Sequence, residues 1–312
     1  MSGTSADALH YVAYGGGVQS TAALVLAAQG RIDFRTFLFA NVGDDSEDPW
    51  TLAYVEHVAK PFAAFHGLEL HELNRVKRDG TTETLLGRMT HEGSRSLAIP
   101  VRMSGGHPAS RSCTADFKIR VMAKWAKAHG ASVGSPAVVG LGISQDEAHR
   151  VNARKAEPYE ILTYPLIGFP ADRDTGLRLR RSDCEQIITE MPLPPPMAES
   201  LRAVFGELPP VTQHDLIVSD FTRMPRPPKS SCWFCPWTRL ARWKDVRRER
   251  PKVFFAAADL EETLSTRQQA AGKGPVFMTG LMKPLREVIQ DDTDLLPFGD
   301  DDAGCDNGWC MT

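Results

Sequence analysis

Two hydrophobic periods alternate along the first half of the chain. Residues 9–14 (LHYVAY) are a short β-inclined run. Gly15, Gly16 and Gly17 follow, and Ser20 and Thr21 then open the apolar stretch AALVLAA, which Gly30 ends. This order predicts strand, tight loop and helix. Residues 36–40 (TFLFA) predict a second buried strand, closed by the polar loop NVGDDSEDP. A helical pattern covers 50–66, and Pro61 is expected to kink or break it, because proline lacks the N–H that the helix needs. Residues 68–73 predict a third strand, 117–129 a helix ended by Gly130, and 136–141 (PAVVGL) a fourth strand. Strands alternating with helices predict an α/β fold with a doubly wound parallel sheet. Ligands of such sheets sit at the carboxyl ends of strands. The glycine loop and the segment Gly142-Ile-Ser-Gln-Asp-Glu147 both fall there.

The second half has a different texture. Ser182-Asp-Cys-Glu185 predicts a capping box before the helix EQIITEM, which Pro194, Pro195 and Pro196 stop. Residues 197–226 predict a small helical excursion and an irregular connection. Cys232-Trp-Phe-Cys235-Pro236 comes next, then two helices over 237–248 and 251–264.

Composition adds mainly exclusions. At 312 residues with 42% hydrophobic and 24% charged residues, the chain is neither disordered, collagen-like nor a disulfide scaffold. No apolar run approaches the ~18–20 residues of a membrane span. No basic residue precedes Arg31, so the start lacks the pattern of a secretory signal. A cytoplasmic location with reduced thiols, and no membrane partner, is expected. The net charge of −3 hides an asymmetry. Residues 223–252 carry ten lysines and arginines against Asp245 and Glu249, whereas 286–306 carry eight acids against Arg286. The basic block suits phosphates or a solvated helix face. As a nucleic-acid surface it would offer Trp233, Trp237 and Trp243 for base stacking.

The glycine loop is the first candidate for chemistry. Three glycines let the backbone turn tightly and expose N–H groups at a helix N-terminus, which favours anions. A ligand-free βα turn is the bland alternative. No Gly-Lys-Ser/Thr occurs, so this is not a Walker A loop. Gly15-x-Gly17-x-x-Ser20 is a degraded dinucleotide fingerprint. Gly15-Gly16-Gly17-Val18-Gln19-Ser20 fits better the pyrophosphate-loop pattern Ser-Gly-Gly-x-Asp-Ser, with Gly for the first Ser and Gln for Asp. Here the chain resembles the adenine nucleotide α-hydrolase (PP-loop ATP pyrophosphatase, HUP-like) superfamily, in its phosphoadenosine phosphosulfate (PAPS) reductase-like branch. Phe39-Ala-Asn-Val-Gly-Asp44 is similar to that branch's Phe-x-Asp-Thr-Gly. Arg111-Ser-Cys-Thr-Ala-Asp-Phe-Lys118 is similar to its Cys-Thr-x-x-Phe-Lys. Residues 142–147 take the place of its second nucleotide-side loop. The resemblance covers about residues 9–195.

The resemblance implies a nucleotide-binding domain over 1–195, followed by a mainly helical, Cys-containing region over 196–312 with an acidic tail. It implies ATP cleaved between its α and β phosphates, adenylation of a substrate oxygen, and displacement of AMP by a sulfur or nitrogen nucleophile. The implied nucleotide site is Gly15, Gly16, Gly17, Val18, Gln19, Ser20, Thr21, Asn41, Gly43, Asp44 and Gly142. Lys118, Arg120 or Arg150 would neutralise phosphate charge. Asp146 or Glu147 would hold Mg²⁺. The catalytic set is thus Lys118, Asp146, Glu147 and Arg150. Two departures matter. Gln19 replaces the loop acid. The Glu-Cys-Gly segment of true PAPS reductases is absent, and the tail carries Cys305-Asp-Asn-Gly-Trp-Cys310 instead.

Cys232-x-x-Cys235 has the spacing of a two-ligand metal clip. Two buried core cysteines are the alternative. Cys113 lies inside a nucleotide-side motif, so Cys113, Cys232, Cys235 and a tail cysteine, Cys310 before Cys305, are the expected ligands. Cys184 is expected to pack. Four thiolates suit a [4Fe–4S] cluster or Zn²⁺. The cluster is favoured because several sulfur-transferring relatives use a three-cysteine cluster with an open iron. The expected activity is ATP-dependent adenylation coupled to sulfur transfer, with a nucleic-acid base or a small metabolite as acceptor and a sulfur donor protein as a possible partner. The alternatives are a PAPS or APS (sulfonucleotide) reductase, with PAPS in place of ATP, and a non-catalytic, zinc-stabilised nucleotide-binding module.

Overall fold

The computed structural model describes residues 8–151, 154–205 and 221–290. The strands in chain order are β1 (His10–Tyr14), β2 (Thr36–Asn41), β3 (Glu69–Asn74), β4 (Arg102–Met103), β5 (Ala137–Leu141), β6 (Glu160–Thr163) and β7 (Val276–Phe277). Five of them form one parallel sheet in the order β3-β2-β1-β5-β6. β1 is central, with Tyr11 level with Thr36 on one side and with Val139 on the other. Chain order reverses between β1 and β5. The loops after these two strands, 15–17 and 142–147, therefore leave the sheet side by side.

The helices are α1 (Val18–Ala28), α2 (Pro49–Tyr54), α3 (Lys60–Phe65), α4 (Leu85–Thr90), α5 (Ser112–Thr114), α6 (Arg120–Ala128), α7 (Arg181–Glu190), α8 (Pro195–Phe205), α9 (Leu240–Glu249), α10 (Pro251–Ala270) and α11 (Leu285–Val288). Strand alternation sorts the two faces of the sheet. Val12, Tyr14, Phe37 and Phe39 pack with α1, α2, α3 and α7, and Tyr11, Ala13, Leu38 and Ala40 pack with Met122 and Ala126 of α6. Helices on both faces make this the doubly wound arrangement. A third core joins Val42, Leu85, Met89, Ile99 and Phe117 to Phe234, Trp243, Phe254, Leu264 and Val276. Residues on both sides of position 195 thus share one core. The β4–β7 pair, with Arg102 level with Phe277, closes it.

Pro61 does not break its helix. A π turn (Val55–Ala59) precedes it, in which the Lys60 N–H reaches back to the Val55 carbonyl. The wider turn absorbs the missing N–H and the bulk of the ring. A second π turn (Ala115–Ile119) lies between α5 and α6, so this helix starts at Ser112 rather than at 117. α7 also starts earlier than the Ser182 capping box predicts. Arg180 is its N-cap, and Asp183 accepts the Arg180 N–H at 2.8 Å. β6 has no counterpart in the sequence reading. Its first residue, Glu160, interrupts the apolar pattern but is buried against Arg154 at 2.7 Å. No helix among the described residues is long and apolar enough to cross a membrane.

Candidate functional site

The glycine loop turns through Gly16, whose φ is +76°, and ends at Gly17, the N-cap of α1. The two glycines have different duties. A Cβ on Gly16 would lie 2.9 Å from the Thr51 methyl, whereas one on Gly17 would meet only Ser230 Cβ at 3.6 Å. Gly16 is required by the fold itself. Gly142 presses on the same helix end, because its Cβ would lie 3.1 Å from the Ser20 backbone nitrogen. Ser20 donates its hydroxyl to the Gly17 carbonyl at 3.0 Å. Thr21 is turned inward and shares a 3.0 Å hydrogen bond with Tyr14, whose phenol is held above its ordinary pKa by burial. The first turn of α1 carries no acidic side chain of its own to offset the positive end of the helix dipole.

Gln19 points into a buried polar knot. Its amide donates to Glu147 Oε1 at 3.1 Å and to Ser144 Oγ at 3.4 Å, and Glu147 Oε2 accepts from Arg150 Nη1 at 2.6 Å. Glu147 and Arg150 are both almost fully buried. Burial raises the Glu147 pKa despite the attraction of Arg150. An amide suits this position better than an acid would. A carboxylate at position 19 would face Glu147 in a dry pocket, whereas an amide can donate to it. Arg181 Nη1 reaches Gln19 Oε1 at 3.5 Å, and its backbone N–H is accepted by Asp146 Oδ1 at 3.0 Å. Of the two expected Mg²⁺ ligands, Glu147 is committed to this knot and Asp146 is exposed beside it.

The loop after β2 is organised by Asn41. Its amide donates to Asp44 Oδ1 at 2.8 Å and to Glu72 Oε1 at 2.7 Å, while its carbonyl oxygen accepts the Gly43 N–H at 2.9 Å. Gly43 has φ +123°, and Thr84 fills the space its Cβ would need.

The segment before Cys232 ties these loops together. Ser230 donates to the Gly15 carbonyl, and Asp48 N–H donates to the Ser231 carbonyl at 3.1 Å. Cys232 and Glu47 form a bridge, and the Trp233 indole donates to the Asp45 carbonyl at 2.7 Å. The Cys-x-x-Cys element therefore lies against both the glycine loop and the loop after β2. It faces a cavity of about 30 Å³ whose walls include Cys113, Cys232, Cys235, Lys118 and Trp237. Burial and the Glu47 carboxylate push the Cys232 thiol up, and Lys118 partly offsets them. Three thiols on one small cavity are a donor set suited to a thiophilic metal. Among the described residues, however, no three His, Cys, Asp or Glu side chains converge as a finished ligand set. The expected fourth ligand Cys310, and Cys305, lie outside the described residues. Cys184 packs in the core, and its burial pushes the thiol up to about 12.

Several residues of this site carry no sequence signal. Glu47 reads as one acid among many in a polar loop, yet it is fully buried beside Cys232. Ser230, Tyr14 and Arg181 are equally silent. The basic block departs from expectation. Trp243 is fully buried and stacks on no base. Trp237 is covered by Arg102 and Arg111. Arg226 pairs with Glu185 at 2.6 Å, Arg250 with Asp48 at 2.8 Å, and Arg248 with Asp245 and Glu249. Much of the block holds the fold together.

Comparison with protein-family models, curated proteins and solved structures gives no match. The class defined by fold and site is an α/β protein with a five-stranded parallel sheet, a glycine-rich loop at its switch point and a thiol-lined cavity beside that loop.

Proposed function

We propose that the chain is a PP-loop enzyme that cleaves ATP between the α and β phosphates, adenylates a substrate oxygen and supports sulfur transfer to the activated carbon. The observation that carries this reading is the junction of two chemistries. Ser230, two residues before Cys232, is bonded to the glycine loop, so an anion cradle and a thiol cavity share one segment. In the first step the substrate oxygen attacks the α-phosphorus and pyrophosphate leaves. In the second a sulfide-level sulfur attacks the activated carbon, and AMP leaves with the C–O bonding pair. Backbone N–H groups at Gly17–Ser20 receive the pyrophosphate charge. Lys118, buried in the cavity wall, would stabilise anionic sulfur or phosphate. Asp146 is the carboxylate accessible to Mg²⁺. Cys113, Cys232 and Cys235, with Cys310, would hold Zn²⁺ or a [4Fe–4S] cluster, and a cluster held by only three of these thiols would leave one iron open to sulfur.

Incubation with ATP and with PAPS, followed by product identification, tests the proposal. AMP and pyrophosphate are expected. Stoichiometric ADP sinks the reaction assignment, and sulfite from PAPS replaces it with sulfonucleotide reduction. Binding of ATP without turnover under every acceptor tried, with zinc in the thiol site, would favour the non-catalytic module.

A further inference from the structure

We propose that the cleft between β3 and α6 holds the phosphate groups of a single-stranded nucleic acid. It encloses about 460 Å³ at the sheet's outer strand, two strands away from the glycine loop. Arg75, Arg120 and Lys124 line it, and the carboxylate in its wall, Glu72, is already bonded to Lys60 Nζ at 2.8 Å and to Asn41 at 2.7 Å. The two arginines share one partner, Asp116, and Arg75 is also ion-paired through its Nε to Glu83 at 2.5 Å, which leaves Arg120 and Lys124 as the cleft's more accessible cations. Arg75 Nη1 donates to the Asp116 carbonyl at 2.9 Å and Arg120 Nη1 to Asp116 Oδ1 at 2.6 Å, yet the Arg120 side chain stays 71% exposed. Lys124 is exposed and has no ion-pair partner among the described residues. A hairpin bridged at Val76 and Thr82 continues from the cleft wall and adds the exposed Lys77 and Arg78. Cations spread over a cleft and its adjoining hairpin suit successive phosphates rather than one. Trp125 serves as an apolar wall, since one face is stacked on His129 at 3.8 Å.

This names an acceptor class for the proposed reaction but does not depend on it, because binding is read without ATP. The test is fluorescence anisotropy of labelled dT12 at two salt concentrations, with UMP as competitor. Wild type should bind, and more weakly at high salt. R120E/K124E should lower affinity at least tenfold and reduce the salt slope by about two phosphates' worth. K252E, an exposed charge reversal in the basic block, should bind as wild type. K124E alone should give a smaller loss of the same kind, which keeps the test valid if the double variant unfolds. Failure of wild type to bind dT12, full binding by R120E/K124E, or an equal loss in K252E would overturn the proposal. Equal competition by UMP at matched phosphate would reassign the cleft to a mononucleotide. None of these outcomes bears on ATP cleavage, so the two proposals fail separately.

Discussion

The glycine loop and the thiol cavity are neighbours built by opposite routes. The loop's shape comes from a short stretch between β1 and α1, where the positive φ of Gly16 and the N-cap geometry of Gly17 suffice to present backbone N–H groups. The cavity draws Val42, Ile99, Cys113, Lys118, Cys232 and Trp237 from distant segments, and its walls continue into a core that spans both halves of the chain. A local device tolerates change around it as long as its backbone is free to turn. A cavity made of distant segments depends on every element that brings them together. The Ser230 contact with Gly15 joins the two regions, so disturbance of one should be felt in the other.

The sharpest division lies within the loop itself. Gly16→Val forces a β-branched residue to positive φ, at about 1–3 kcal/mol, and displaces Thr51 at roughly 1–3 kcal/mol more. It should therefore be strongly destabilised, by about 2–6 kcal/mol in all. Gly17→Val should fold, with a helix-cap cost of about 1 kcal/mol or less, and lose ATP affinity at least tenfold. Thermal unfolding and calorimetry on both variants check this, and unchanged ATP affinity in a folded Gly17→Val removes the cradle.

On the cavity side, Cys113→Ser, Cys232→Ser and Cys235→Ser should each lose bound metal and stability together, because metal binding energy is linked to folding. Truncation before Gly304, or Cys310→Ser, should match them, and Cys305→Ser should not. Iron and zinc analysis of the purified proteins decides the case. Full metal in Cys113→Ser would detach the metal from the nucleotide side. Full metal in the truncated chain would exclude the tail.

A smaller effect is expected from Gln19→Glu. Two carboxylates would then meet in the buried knot, where each raises the other's pKa. Folded-state pKa values lifted above the unfolded ones mean that ionisation opposes folding. The variant should approach wild-type stability below the unfolded carboxylate pKa and fall behind it by about 1–3 kcal/mol as pH rises. Denaturant unfolding at several pH values measures the difference, and a constant gap would disprove the carboxylate clash. Cys184→Ser should touch stability alone. A hydroxyl in this apolar core should cost roughly 1–2 kcal/mol and leave metal content unchanged.

The α/β alternation, the glycine loop and the strand ends that flank the switch point were legible because each is a local pattern of period and turn chemistry. β1, β2 and β3 follow the hydrophobic runs closely, and Pro61 announced a disturbance at the right place. β6 was not legible, because Glu160 inside it is tolerated only through Arg154. The two π turns were not legible either, since their hydrogen-bond shift answers to packing. The ion pairs of Arg226 and Arg250 were not legible, because their partners, Glu185 and Asp48, lie far away in sequence.

By itself the sequence determined the parallel α/β class, the glycine-rich turn and the candidate thiols, since period, conformational freedom and residue chemistry belong to short stretches of chain. Only the tertiary structure decided that Gln19 answers Glu147, that Glu47 lies beside Cys232, that Trp243 is core, and that Arg120 and Lys124 share a cleft with Arg75 at the outer strand. Each of those outcomes depends on which distant groups share a buried or crowded space. There the desolvation of charge and the exclusion of atoms from one another set the result, and neither can be computed until the neighbours are in place.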